Sequence, residues 1–120
     1  MRIARRDTKL ERNRELVMKT TMVVYMNISD EGWIREYFAA VPELLAEYGA
    51  VSISGGRDII SIEGDMPSPD RIAVIEFPSR AAVDAFMADE RYQHYRKQRE
   101  AGSSSQIFIY SNAVVEGGLA

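Results

Sequence analysis

The feature that most constrains this chain is a pair of predicted β-strands that are apolar on both faces. Side chains at alternate positions of a strand point to opposite sides of a sheet. In the stretch from Thr21 to Ile28, one side carries Met22, Val24, Met26 and Ile28, and the other carries Val23, Tyr25 and Asn27. In Arg71–Phe77, one side carries Ala73, Ile75 and Phe77, and the other carries Ile72, Val74 and Glu76. A sheet built from such strands needs apolar cover on both sides.

Two helical segments are predicted beside these strands. The first has an apolar stripe at steps of one, three and four residues, formed by Trp33, Ile34, Tyr37, Phe38, Val41, Leu44, Leu45 and Tyr48. Ser29 and Asp30 are predicted to cap it, Pro42 to make it kink or restart, and Gly49 to end it. The second follows Pro78, with Ser79 as its cap, and Asp89 is predicted to cap a further turn or two ending near Gly102.

The remaining segments complete a β, α, β, β, α, β order. Val51 to Ser54 and Ile59 to Glu63 are predicted to form one strand interrupted at Gly55–Gly56–Arg57–Asp58. Residues 64–70 and 102–105 are predicted loops, and Gln106 to Tyr110 is the last strand. This order predicts an α+β domain, a ferredoxin-like βαββαβ protomer with a four-stranded antiparallel sheet.

Two helices can cover only one side of such a sheet. The other side keeps six apolar or aromatic side chains: Val23, Tyr25, Ile72, Val74, Phe108 and Tyr110. An uncovered patch of that kind is larger than a monomer usually exposes. We therefore expect a homodimer in which two sheets pack face to face, a dimeric α/β barrel.

Charge divides the chain at about residue 20. Residues 1–20 hold seven basic and three acidic side chains, while the net charge of the whole chain is -3. We expect a flexible basic extension at 1–20, the folded domain at 21–112 and a loose tail at 113–120. A basic extension can bind nucleic acid, but this one lacks the aromatic side chains that stack on bases, so a solvated extension is the preferred interpretation.

The composition excludes several kinds of site and location. The chain has no cysteine and one histidine, which excludes disulfides, thiolate metal sites and multi-histidine metal sites. We therefore expect no metal and no cofactor. No apolar run approaches the roughly 20 residues of a membrane span, and the N-terminus has no signal-peptide core. A cytoplasmic protein that does not enter membranes is expected.

Three short motifs resemble the domain-of-unknown-function family 1330. They are Tyr48–Gly49–Ala50, Ile75–Glu76–Phe77–Pro78–Ser79 and Asp89–Glu90–Arg91–Tyr92–Gln93. The resemblance covers residues 21 to 112, and Ala50 stands where the family commonly has a second glycine. It implies a ferredoxin-like protomer of the dimeric α/β-barrel superfamily, with no settled activity.

Glu76 is the first candidate catalytic residue, because it follows two apolar side chains on a side of the sheet that we expect to be covered. Burial without a partner would raise the pKa of this carboxyl toward values useful for proton transfer. Tyr25, Asn27 and Tyr110 are candidate ligand-binding residues that share its side. The alternative is that Glu76 lies at the solvent-exposed end of its strand or pairs with an arginine.

His94 is the second candidate catalytic residue, since any imidazole acid–base role falls to it alone. It lies among Arg91, Arg96, Lys97 and Arg99, a pattern typical of a solvated helix face. Arg57 is a further candidate ligand-binding residue, in a glycine-containing segment that is either a simple turn or a donor of amides to an anion.

These observations leave two main functions open. One is a binding protein for a small apolar or aromatic molecule. The other is a cofactor-free oxygenase or isomerase acting on a small organic substrate, with Glu76, His94 and the tyrosines handling protons. Nucleic-acid binding through residues 1–20 is the third hypothesis.

Overall fold

A computed structural model of the protein describes residues 18–112. Within that range the elements in chain order are β1 (Thr20–Ile28), α1 (Ile34–Glu47), β2 (Val51–Gly56), β3 (Arg71–Phe77), α2 (Arg80–Ala88), α3 (Glu90–Gly102) and β4 (Ser103–Ser111). The predicted tail at 113–120 and all but the last three residues of the predicted basic extension lie outside the described residues.

The strands form one antiparallel sheet in the order β2-β3-β1-β4. β1 is central, so that Val23 lies opposite Val74 of β3 on one side and opposite Phe108 of β4 on the other. This is the ferredoxin-like strand order. The predicted α+β class and four-stranded antiparallel sheet are therefore confirmed.

The core lies between the helices and one side of the sheet. Its buried side chains come from β1, β3, the three helices and the turn before α1: Met22, Met26, Trp33, Tyr37, Val41, Leu44, Phe77, Val83, Phe86 and Tyr92. Phe77 is fully buried, and such a side chain stabilises the folded state by about 1.5–3 kcal/mol.

The opposite side of the sheet carries the apolar set predicted for it, and we call this surface the open face. Tyr25 lies opposite Ile72, two positions along β1 from the row of Val23, Val74 and Phe108. Phe108 and Tyr110 are 55% and 57% exposed. The helices therefore leave this surface without cover within the described part of the chain.

Two predicted helix caps and one helix stop are confirmed. Ser79 Oγ accepts a hydrogen bond from the Ala82 amide at 3.1 Å, and Asp89 Oδ1 accepts one from the Arg91 amide at 2.8 Å. Gly49 ends α1 with a φ of 77°, a left-handed conformation that glycine adopts without strain.

The predicted cap of α1 is wrong, and so is the restart that was one of the two outcomes predicted at Pro42, the other being a kink. Trp33 occupies the N-cap position without a side-chain cap. Ser29 and Asp30 lie before it, and their amides donate to the Gly102 carbonyl at 2.9 and 3.1 Å. The helix then runs through Pro42 without a restart. Pro42 and Phe38, the residue four positions earlier, are both exposed, so water can satisfy the carbonyl that loses its amide partner.

The structure also corrects two strand boundaries. β2 ends at Gly56, which pairs with Ile72 near the start of β3, so no partner remains for the predicted continuation over Ile59 to Glu63. Asp58 then takes a left-handed φ of 57°. The predicted loop at 102–105 is wrong as well, because α3 extends over 13 residues to Gly102 and β4 begins directly at Ser103.

Candidate functional site

A cavity separates α1 from the sheet. α1 makes its main backbone contacts with α3 rather than with the strands, which leaves a space of about 140 Å³ that we call the inner cavity. Apolar side chains of the strands, α1 and α2 form most of its wall, among them Met22, Met26, Val41, Leu45, Ile75 and Phe86. An engineered apolar cavity of about this size binds benzene.

Four polar side chains complete the wall of the inner cavity: Ser52 of β2, and three others that we call the donor cluster. Tyr37 comes from α1, and Tyr92 and Arg99 come from α3. Tyr92 and Arg99 share a helix face because seven residues make nearly two turns. Their exposed fractions are 9% for Tyr37, 2% for Tyr92 and 4% for Arg99, so all three are withdrawn from bulk water.

The donor cluster is linked by two long hydrogen bonds. The hydroxyls of Tyr37 and Tyr92 lie 3.1 Å apart, and Arg99 Nη2 donates to the Tyr92 hydroxyl at 3.4 Å. Arg99 Nε is buried and has no hydrogen-bond partner within residues 18–112. No carboxylate in that range forms an ion pair with the Arg99 guanidinium.

Burial and mutual contact set the protonation of the donor cluster. Burial, followed by the proximity of Tyr92, holds the pKa of Tyr37 far above its usual value, so this phenol stays protonated. Burial by itself lowers the pKa of the Arg99 guanidinium, but the neighbouring Tyr92 and Tyr37 outweigh it and the pKa is raised. Arg99 therefore remains a cation inside an apolar cavity.

A second space, the outer cavity, adjoins the first. It measures about 360 Å³, and Val24, Met26, Phe38 and Ala73 line both cavities. Arg57, predicted from the sequence to bind a ligand, lies in the wall of the outer cavity together with Arg71. Of the predicted site residues, Arg57 alone lines either cavity.

Glu76 and Tyr110 lie at one end of the open face, on either side of Thr21. Glu76 is part-buried rather than isolated. Its Oε2 accepts a hydrogen bond from Asn112 Nδ2 at 2.9 Å, and its Oε1 lies 3.7 Å from Lys19 Nζ. Asn112 and Lys19 thus take the place of the arginine that the sequence offered as a partner. They hold the Glu76 carboxylate in a surface network at the edge of the open face.

The structure does not bring the predicted polar residues into one cluster. Tyr25 lies four residues from Thr21 along β1, about 13 Å at the rise of a strand, and packs edge-on against Phe108. Asn27 lies about 20 Å from that end of β1, where its Oδ1 accepts a hydrogen bond from the Asp70 amide at 3.2 Å. Glu76, Tyr25, Asn27 and Tyr110 share a side of the sheet but not a pocket.

His94 lies on the other side of the sheet from Glu76. It belongs to α3, its side chain is 62% exposed, and its Nε2 lies 3.7 Å from Glu36 Oε2 of α1. The two predicted catalytic residues therefore cannot act on one small molecule within this protomer.

Arg99 is the functional candidate that sequence reasoning missed. It was predicted to lie on a solvated face with its charged neighbours, and that prediction is wrong, since only 4% of it is exposed. The available signal was spacing: Tyr92, Tyr95, Arg99 and Gly102 recur at steps of three and four, which makes one face of α3. The many charged residues between these positions make that face hard to recognise in the sequence.

Two kinds of feature are absent from the described residues. Within 18–112, no group of three or more histidine, aspartate or glutamate side chains is placed to hold a metal ion. None of the helices in that range has the length and apolar character that crossing a membrane requires.

Comparisons with known proteins agree with this architecture. A family model described as a domain of unknown function, DUF1330, matches residues 19–113. A protein of unknown function from Rhodopseudomonas palustris is 16% identical, with a TM-score of 0.75 over 92% of this chain and 97% of that chain. A search of curated proteins gives no match.

Two other solved structures are similar at lower TM-scores. SnoaB, a cofactor-independent oxygenase from Streptomyces nogalater, is 11% identical, with a TM-score of 0.59 over 83% of this chain and 98% of that chain. A dimeric ferredoxin-like protein of unknown function from Jannaschia sp. CCS1 is 17% identical, with a TM-score of 0.61 over 78% of this chain and 99% of that chain. Likeness at these identities concerns the fold alone.

Proposed function

Because this chain belongs to the DUF1330 family, whose description gives no activity, we propose its function from its own pocket: it binds a small apolar or aromatic molecule in the inner cavity. The observation that carries the proposal is a cavity of about 140 Å³ with an apolar wall and a few converging polar groups. That composition is typical of small-molecule sites.

The size of the inner cavity supports a compact ligand. A space of about 140 Å³ suits a single ring or a short branched chain rather than a nucleotide or a long lipid. The outer cavity, which shares Phe38 and Ala73 with it, offers a route from the surface.

Filling the cavity tests this proposal. Ala73 lines both cavities, so Ala73→Leu should occupy the space and abolish the binding of toluene, observed by saturation-transfer NMR. Ala39→Leu adds the same atoms at an exposed position of α1 and should leave binding unchanged. Equal toluene binding by the wild type and Ala73→Leu would contradict the proposal. So would a wild-type protein that binds neither toluene nor any of a panel of other single-ring compounds.

The alternative function is cofactor-free oxygenation or isomerisation of a small organic substrate. One observation favours it: SnoaB has a similar fold and is described as a cofactor-independent oxygenase. In that case the donor cluster, which lines the inner cavity, is better placed than Glu76 or His94 to contact the substrate. The catalytic roles of Glu76 and His94 stay predictions, as do ligand-binding roles for Tyr25, Asn27, Arg57 and Tyr110.

We also propose that the protein is a homodimer joined through the open face. The exposed apolar side chains of that surface support it, and so does the similar Jannaschia protein, which is described as dimeric. Two sheets packed in this way would form the dimeric α/β barrel expected from the sequence. A cytoplasmic location is proposed on the cysteine-free composition, which suits a reducing compartment.

A further inference from the structure

The donor cluster has more hydrogen-bond donors than acceptors. A guanidinium carries N–H groups arranged as a fork and has no acceptor, and each phenol carries one O–H. Within residues 18–112, one Arg99 N–H reaches Tyr92, one phenolic hydrogen joins Tyr92 to Tyr37, and Nε has no partner. At least one phenolic O–H and the Nε–H of Arg99 are therefore left for a ligand.

The cluster also carries a positive charge with which no carboxylate of the described residues forms an ion pair. Arg99 is 4% exposed, and the carboxylates of residues 18–112 that form ion pairs do so elsewhere. Holding a single cation in an apolar surround is costly, and buried charges in proteins are normally paired. An anion bound in the inner cavity would supply the missing charge and the missing acceptors together.

We propose that the donor cluster binds the carboxylate of a small apolar or aromatic monocarboxylic acid, with Arg99 as the principal contact and Tyr37 or Tyr92 as the second donor. This inference rests on the proposed function, because it assumes that the inner cavity is the binding site, and it adds the chemical class of the ligand. The rest of that molecule would lie against the apolar wall near Met22, Val41 and Phe86.

Charge and size favour a carboxylate over a phosphate. The planar guanidinium fork matches the oxygens of carboxylates and phosphates alike, so its shape does not discriminate between them. A phosphate group is tetrahedral and carries close to two charges at neutral pH, whereas the donor cluster offers one cation. The inner cavity of about 140 Å³ leaves room for a ring beside a carboxylate and little more.

Matched pairs of acids and amides test this assignment. Benzoate, phenylacetate and hexanoate would be titrated into the wild-type protein beside benzamide, phenylacetamide and hexanamide, with dissociation constants measured by NMR or calorimetry. We expect at least one acid to bind ten or more times tighter than its amide. Ala73→Leu should abolish that binding, which places it in the inner cavity.

Substitutions of two arginines of α3 distinguish an effect on the charge of the site from a general effect on the fold. Arg99→Met should weaken the preferred acid ten-fold or more and leave its amide unchanged. Arg99→Lys, which keeps the charge and loses the fork, should have intermediate affinity for the acid. Arg96→Met is the matched control, because Arg96 lies on the same helix and pairs with Glu100 at 3.3 Å, and it should bind as the wild type does.

The possible failures are distinguishable. If acids and amides bind alike, or if the acid binds equally well to Arg99→Met, the carboxylate assignment is overturned and the apolar pocket stands. If no acid, amide or toluene binds, the proposed function fails and this inference fails with it. The comparison of acid with amide uses the wild type alone, so it decides the matter even if Arg99→Met does not fold.

Discussion

Arg99 places a positive charge where the fold otherwise buries apolar side chains. A protein selected for stability alone would hold a residue such as methionine there, because a buried unpaired cation loses hydration without a compensating ion pair. Tyr37 and Tyr92 would keep their mutual hydrogen bond without it. The residue is thus better explained by ligand binding than by the stability of the fold.

We expect Arg99→Met to stabilise the protein without ligand. Replacing a whole buried ion pair or triad by apolar residues of similar volume often gains about 1–4 kcal/mol. A lone buried cation lacks even the partner that offsets its lost hydration, and the hydrogen bond that is lost is long, at 3.4 Å. Urea unfolding of the two proteins measures the change. Arg96→Met should stay within about 0.5 kcal/mol of the wild type, and a loss of stability in Arg99→Met alone would contradict this account of the charge.

Asp89 makes the stability of the fold depend on pH. Hydrogen bonds from the Arg91 side chain, then from the Tyr48 hydroxyl at 2.6 Å, hold the pKa of this carboxyl well below its usual range. A carboxyl with a lower pKa in the folded state stabilises that state above its unfolded pKa, near 4. This contribution is lost as the pH falls from about 4 toward the folded value.

The melting temperature of the wild type should therefore fall more steeply between pH 4 and pH 2 than that of Asp89→Asn. Asparagine can keep the cap on α3 but cannot titrate. Asp84→Asn, at an exposed position of α2, is the matched control and should follow the wild type. Parallel curves for the wild type and Asp89→Asn would show that Asp89 is not the source of the pH dependence.

Single residues were the hardest part of the molecule to predict. Glu76 and Tyr110 were placed on the correct side of the sheet, because strand periodicity fixes the side of every residue. Whether such residues share a pocket depends on how far apart they lie along the strands and on what covers them. Periodicity predicts neither the separation nor the cover. The burial of Arg99 could not be predicted, because a long charged side chain in a charged stretch indicates a solvated position, whereas its burial depends on how α1 and α3 pack.

At the scale of elements, the junction between the end of α3 and the turn before α1 depends on a glycine. A Cβ added at Gly102 would collide with Cδ1 and Nε1 of Trp33 and would crowd the Asp30 carbonyl. The Gly102 carbonyl also accepts the amides of Ser29 and Asp30. The end of α3, the start of β4 and the turn before α1 are thus joined at one point.

Gly102→Ala should lower the free energy of unfolding by about 1–3 kcal/mol, because an overpacked core forces side chains from their preferred positions. Gly56→Ala is the control, since an added Cβ there meets no atom within 4 Å. Chemical denaturation of both variants measures the difference. Equal stabilities would mean that Trp33 can move aside freely.

Most elements could be predicted because their signals are local. The bounds of β3 follow from alternation and from Pro78, and Ser79 and Asp89 mark helix starts by residue type alone. The wrongly predicted boundaries are those that depend on pairing with a segment distant in the sequence. The continuation of β2 past Gly56 lacks a partner in β3, and the serines after Gly102 become a strand because β1 lies beside them.

At the scale of the whole molecule, the open face determines how protomers can associate. Phe108 lies on this surface in the edge strand β4, opposite Val23 of the central strand, and is 55% exposed. Phe108→Asp would place a charge in the proposed interface, and we expect it to convert the dimer to a monomer, measured by size-exclusion chromatography with light scattering.

Ala81→Asp provides the matched control for this prediction. It adds the same charge at an exposed position of α2, on the helical side of the sheet, and the dimer should persist. A wild-type protein that is monomeric at micromolar concentration would contradict the homodimer, as would a Phe108→Asp variant that remains dimeric.

The irregular pairing of β2 has a consequence for self-association. The register between β2 and β3 shifts between Ser52 and Ser54, so Ile53 interrupts the ladder of an edge strand only six residues long. A short, bulged edge is a poor template for adding another strand. Growth into extended fibrils by strand addition at the β2 edge is therefore disfavoured. The protein can keep an apolar sheet surface for a partner without uncontrolled polymerisation along the β2 side.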